Sequence, residues 1–229
     1  MWLAVLAAVI TSGPAVTNGV SAPETSDNSV IFRVGGAPIG EVEQRGDTYV
    51  VGRCFTGSPL PAGYPRPTPP GAMEIKRYPS VRRAYVEGGG DARRSSSRGF
   101  WPLFRHISDR DIAMTAPVEM DYEMEGDAEW RMAFLYRTED LGPTGNAEDG
   151  VVVDDSPEVT VLSLGIMGGR SGRTIAEAEA ALDAWLASRD DWQATGDKRW
   201  MGYNGPSQRR DLQWWELQFV IEPSPGRGE

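Results

Sequence analysis

Two stretches of this 229-residue chain run through the same order of short strands, glycine break, amphipathic helix and further strands, and this repetition limits the folds open to it. In the first, strand-like runs at about 73–78 and 81–87 end at Gly88-Gly89-Gly90. A helix is expected next, because Phe100, Leu103, Phe104 and Ile107 recur at i, i+3, i+4 and i+7. Pro102 falls within that segment, so the helix is expected to be short or bent, capped near Gly99 with the proline in its first turn. Strands near 112–120 and 132–137 complete the unit, separated by the acidic segment 123–129.

The second stretch opens with a strand at 157–167, which Gly168-Gly169 interrupts. Thr174 and Glu177 have capping-box spacing, and Ile175, Ala178, Leu182, Trp185 and Leu186 form one apolar stripe. Strands near 199–203 and 214–221 follow. Pro79-Ser80-Val81 and Pro157-Glu158-Val159 are offset by 78 residues, and Ala133-Phe134-Leu135-Tyr136 and Glu216-Leu217-Gln218-Phe219 by 83. One helix on one small sheet closes a core poorly, whereas two such units can share an interior. The expected fold is therefore α+β, two β-α-β repeats that are each a small antiparallel sheet with one helix.

The ends carry different signals. Residues 2–10 form an apolar run too short for a good membrane span, and Val20-Ser21-Ala22 suits signal cleavage. Export to a periplasmic or extracellular space is the expectation, against which stands the lack of any Lys or Arg before Arg33. A membrane tether or a cytoplasmic protein are the alternatives. Residues 23–72 read as an N-terminal extension with a small hairpin and a linker, since six prolines fall between 58 and 71. The domain is placed at 73–222, with a loose tail at 223–229.

Chemistry is restricted by what the chain lacks. A single cysteine, Cys54, excludes an intrachain disulfide framework, and a single histidine, His106, excludes multi-histidine metal sites. The net charge of -10 disfavours nucleic acid as a partner. Residues 73–110 depart from that balance, with nine basic residues against four acidic ones. A solvated charged face explains such a cluster, and so does a site for an anionic ligand.

Several segments together resemble the SOUL haem-binding family. They are Met73-Glu74-Ile75-Lys76-Arg77-Tyr78, Gly99-Phe100-Trp101-Pro102-Leu103, the run from Ile112 through Met114-Thr115-Ala116-Pro117 to Val118, Tyr203-Asn204-Gly205-Pro206 and Trp215-Glu216-Leu217. The resemblance implies a distorted barrel of two pseudo-symmetric halves, similar to gyrase-inhibitor-like small-molecule-binding domains. It also implies a tetrapyrrole ligand, haem b or another porphyrin, beside the first helix.

A haem site needs an apolar slot, cations at its rim and an iron ligand where one is used. Arg93, Arg94 and Arg98 are the candidates for the propionates, and Phe100, Leu103 and Phe104 for the slot. His106 borders the apolar stripe and is the candidate axial ligand, with Met114 as the alternative; either is also explained as ordinary packing. Non-catalytic binding is the expected function. The rival is a small-molecule hydrolase using Glu216 with Tyr203 and Trp200, although Glu216 also reads as an exposed strand residue. A ligand-free interaction module is the third reading.

Overall fold

The computed structural model describes residues 30–90, 92–122, 130–205 and 207–225, with side chains apart from those of 30–31, 92–97 and 197. In chain order the elements are β1 (Val30–Gly36), β2 (Glu43–Arg45), β3 (Thr48–Val51), β4 (Cys54–Phe55), β5 (Ala72–Tyr78), β6 (Val81–Gly88) and α1 (Ala92–Ser108). There follow β7 (Val118–Tyr122), β8 (Trp130–Leu135), β9 (Gly145–Asn146), β10 (Val152–Ser156), β11 (Val159–Met167), α2 (Gly172–Ala187), β12 (Trp192–Gly202) and β13 (Trp214–Pro223). The fold is α+β, mostly antiparallel sheet with two helices. Ten strands form one open sheet in the order β1-β5-β11-β13-β12-β7-β8-β6-β10-β9, and β2-β3-β4 make a small second sheet. No helix among the described residues is long and apolar enough to cross a membrane.

Strand alternation gives the large sheet two buried faces. On β13, Trp215, Leu217, Phe219 and Ile221 meet the helices, together with Leu103 and Ile107 of α1 and Ile175, Ala178 and Leu182 of α2. Trp214 lies on the opposite face, where Tyr78, Leu135 and Met201 are covered by Val51, Cys54, Leu60 and Tyr64 from the N-terminal segment. Fully burying each large apolar side chain is worth about 1.5–3 kcal/mol.

The proline-rich residues 58–71 are therefore a strap on the sheet. Ala116 N–H donates to the Pro59 carbonyl and Ala62 N–H to that of Arg137. Tyr64 packs edge-on against Tyr78, with ring centroids 5.0 Å apart. The strap touches β11 at Gly165, where a Cβ would stand 2.3 Å from the Pro69 carbonyl oxygen. Only glycine fits there.

Several expectations need correction. α1 is 17 residues long and runs through Pro102. Its packing face of Gly99, Leu103 and Ile107 holds it on β6 and β8 despite the hydrogen bond the proline removes. The run 112–117 is not strand: Pro117 has no N–H to give a ladder, Thr115 Oγ1 donates to the Leu135 carbonyl, and β7 begins at Val118. Ser171, rather than Thr174, caps α2, its hydroxyl accepting from Thr174 N–H at 3.1 Å. β10 was not expected at all. The acidic segment 123–129 lies outside the described residues, as do residues 1–22, where a signal peptide is expected.

Candidate functional site

α1 has three distinct sides. Gly99, Leu103 and Ile107 face the sheet, so Leu103, fully buried, is core and not ligand surface. Arg98, Pro102 and Arg105 fall at i, i+4 and i+7 on one flank. Arg105 pairs with Asp149 there, in a cleft also lined by His106, Asp109, Arg110 and Glu148. About 10 Å³ is enclosed in this cleft, room for one water and not for a porphyrin.

The other flank is aromatic. Phe100 and Phe104 stack one turn apart with centroids 5.8 Å apart, and Trp101 meets both edge-on at 5.6 and 6.1 Å. Phe100 is anchored against Phe134 of β8 at 5.2 Å. Trp101 is 61% exposed and Phe104 43%. Because β10 borders β6 while β7 lies beyond β8, the flank opposite Arg105 looks towards β7 and the half of the sheet that α2 covers. Met114 and Val118 are half-buried on the same face of the sheet.

His106 takes no part in that aromatic side. It is buried, and its Nε2 shares a 2.8 Å hydrogen bond with the Tyr136 hydroxyl. Burial pushes its pKa down, and Arg110 adds to the effect over the opposing pull of Asp109, so the ring is neutral at pH 7. Among the described residues no cluster of His, Cys, Asp and Glu is arranged to hold a metal ion. Arg98 is exposed on the flank away from Phe104, and the Arg93 and Arg94 side chains lie outside the described residues.

The basic excess at 73–110 is largely matched by acids brought from elsewhere in the chain. Arg82 pairs with Asp155 at 2.5 Å and Arg83 with Asp154 at 2.9 Å, across the β6–β10 ladder. Arg77 pairs with Glu158 at 2.9 Å. Lys76 is fully buried beside Glu216, its Nζ 3.0 Å from Oε1.

Glu216 is likewise fully buried, not an exposed strand residue. Oε1 accepts from Thr68 N–H at 2.6 Å and Tyr203 hydroxyl at 2.7 Å, and Oε2 from Ser163 hydroxyl at 2.7 Å and from Gln218. Burial alone would raise this carboxyl, but Lys76 and the hydrogen bonds of Ser163, Thr68 and Tyr203 outweigh it and hold the pKa at about 2. Every lone-pair direction is taken, and the strap closes the face above. Trp200, expected beside Glu216 and Tyr203, is on the helix-side face instead. The network extends through Gln218 and Arg199 to Glu119, which Arg83 also holds at 2.9 Å.

The model of the family described as SOUL heme-binding protein matches residues 66–212. The chain belongs to this family. No curated protein matches it in sequence. Among solved structures, this SOUL-family chain is similar to the EcmrR C-terminal domain, at 14% identity and a TM-score of 0.54, over 66% of this chain and 96% of that one. EcmrR in its DNA complex is similar at 14% identity and a TM-score of 0.53, over 66% of this chain and 57% of that one; the match thus spans little more than half of EcmrR. A hydrolase from Listeria innocua aligns at 10% identity and a TM-score of 0.45, over 65% of this chain and 91% of that one. At these identities the first two show the fold alone.

Sequence reasoning passed over the partners of Glu216. Glu74, Lys76 and Tyr78 alternate to one face of β5, a polar pattern on every second residue of the strand, and that was the available signal.

Proposed function

We propose that this SOUL-family protein binds a tetrapyrrole without catalysing its conversion, on the side of α1 formed by Phe100, Trp101 and Phe104. The observation that carries this reading is the three-ring cluster, with Trp101 and Phe104 exposed over half-buried Phe100, anchored by Phe134, which pairs with Val118. A planar apolar macrocycle can stack on such a surface, and aromatic contacts of this size contribute strongly to binding. The enclosure of Glu216 supports binding over hydrolysis, since no substrate atom reaches its oxygens while the strap is in place. His106, on the far side of the helix and engaged with Tyr136, is not assigned as an iron ligand. Arg93, at the start of α1, remains a propionate candidate.

The strand order supports the two-repeat reading. β6-β8-β7 on one side of the centre corresponds to β11-β13-β12 on the other, and the antiparallel β7–β12 pair lies between them. β5 and β10 are then the first strands of their units, each paired with the other unit. Export through residues 1–22 belongs to the same proposal, and N-terminal sequencing of the mature protein after expression in a secreting host tests it; an intact Met1 rejects it.

Titration of the full chain with haemin tests the tetrapyrrole reading. A saturable Soret shift at micromolar concentration is expected, and its absence rejects the reading.

A further inference from the structure

Arg170 lies between Gly169 and Ser171, in the turn from β11 into α2. Its guanidinium sits over the indole of Trp200, 5.0 Å from the ring centroid. Trp200 pairs with Met120 of β7 on the helix-side face, the direction in which the aromatic side of α1 looks.

Other arginines that pack on the sheet meet acids. Arg82, Arg83, Arg131 and Arg199 each have a carboxylate within 4 Å. Arg170 has no such partner among the described residues. Although the residue as a whole is exposed, burial of its guanidinium pulls the pKa below the usual arginine value, with no acid to oppose it. Arginine remains charged throughout the physiological range. Beneath it, the Trp200 indole is 3% exposed and its Nε1–H has no acceptor among the described residues. A second arginine is close, since the Arg210 side chain passes 3.9 Å from where a Cβ on Gly169 would stand. On α1, Arg105 is already paired with Asp149, and Arg98 and Arg105 neighbour Trp101 rather than Phe100 or Phe104.

An apolar ring system with ionised carboxylates complements this arrangement, since a planar guanidinium accepts a carboxylate through two parallel hydrogen bonds. We propose that Arg170, standing over Trp200, recognises a carboxylate of the bound tetrapyrrole and makes the protein selective for anionic over neutral macrocycles. This assignment rests on the tetrapyrrole reading and adds to it the charge of the ligand.

The test compares protoporphyrin IX with its dimethyl ester, titrated by fluorescence into the full chain as wild type, Arg170→Gln, Arg170→Lys and the distant surface control Arg77→Gln. Wild type and Arg77→Gln are expected to bind the free acid about tenfold or more tightly than the ester, the scale of one charge-assisted pair. Arg170→Gln is expected to bind the acid only as well as the ester, with ester affinity unchanged, and Arg170→Lys to keep part of the preference. Circular dichroism checks that each variant is folded. If Arg170→Gln keeps the wild-type ratio, the assignment is overturned while the tetrapyrrole reading stands. If wild type binds neither compound, that reading falls and takes the assignment with it.

Discussion

Lys76 Nζ lies 3.0 Å from a carboxylate oxygen of Glu216, and neither side chain has any solvent exposure. The pair joins β5 to β13, which are not neighbours in the sheet, across the intervening β11. Removing one member of such a pair leaves the other charge buried without compensation, typically at a cost of about 3–5 kcal/mol. Lys76→Met is therefore expected to lower unfolding free energy by that order in urea denaturation. Because the folded Glu216 carboxyl is held at about 2, below its unfolded value, its stabilisation is complete above the ordinary glutamate range and is lost as pH falls through that range towards 2. Glu216→Gln should remove that part of the acid sensitivity.

Asp121 has the opposite sign. Burial, then the nearby Glu119, raise its carboxyl to about 7 against the pull of Arg199, Arg83 and Arg131. The folded state then binds more protons than the unfolded one between about pH 4 and 7, so stability falls as pH rises through that window, by at most about 1.4 kcal/mol per pH unit. Asp121→Asn is expected to flatten this decline, as measured by urea denaturation at pH 5 and pH 8. An unchanged difference between the two pH values would contradict the assignment.

The strap is tested at Gly165. A methyl group there meets the Pro69 and Thr68 carbonyl oxygens at 2.3 and 2.4 Å, so strap or strand must shift. Gly165→Ala is expected to cost about 1–3 kcal/mol, the usual range for overpacking. A thermal midpoint equal to that of wild type would show that residues 58–71 do not sit on β11.

Parts of this architecture are readable from the chain and parts are not. The stripe of α2 follows from its spacing because packing on one face is what that spacing encodes. β10 escapes because Asp154 and Asp155 look unlike strand residues until Arg83 and Arg82 neutralise them across the ladder. Residues 112–117 read as a strand from their composition, yet Pro117 denies them a ladder. Glu216 reads as exposed because alternation places it away from the helices, and only a strap distant in sequence covers it. The aromatic side of α1 was legible in its residue types, whereas its separation from His106 depends on α1 continuing through Pro102 as one helix. Arg170 leaves no sequence signal, since Gly-Gly-Arg-Ser reads simply as a turn.

His106 offers a separate check. Its Nε2 meets the Tyr136 hydroxyl at 2.8 Å inside the protein, so His106→Phe is expected to cost about 1–2 kcal/mol of stability. Haemin bound to this variant is expected to show the wild-type Soret position. A displaced band would make His106 an iron ligand and require the helix side to be reassigned.

The most direct measurement is haemin affinity in a Trp101→Ser/Phe104→Ser double variant, because both rings are exposed and their removal spares the core. Affinity at least about tenfold weaker than wild type, with the fold intact by circular dichroism, is the expected result. Wild-type affinity in the double variant would contradict the placement of the ligand on this side of α1.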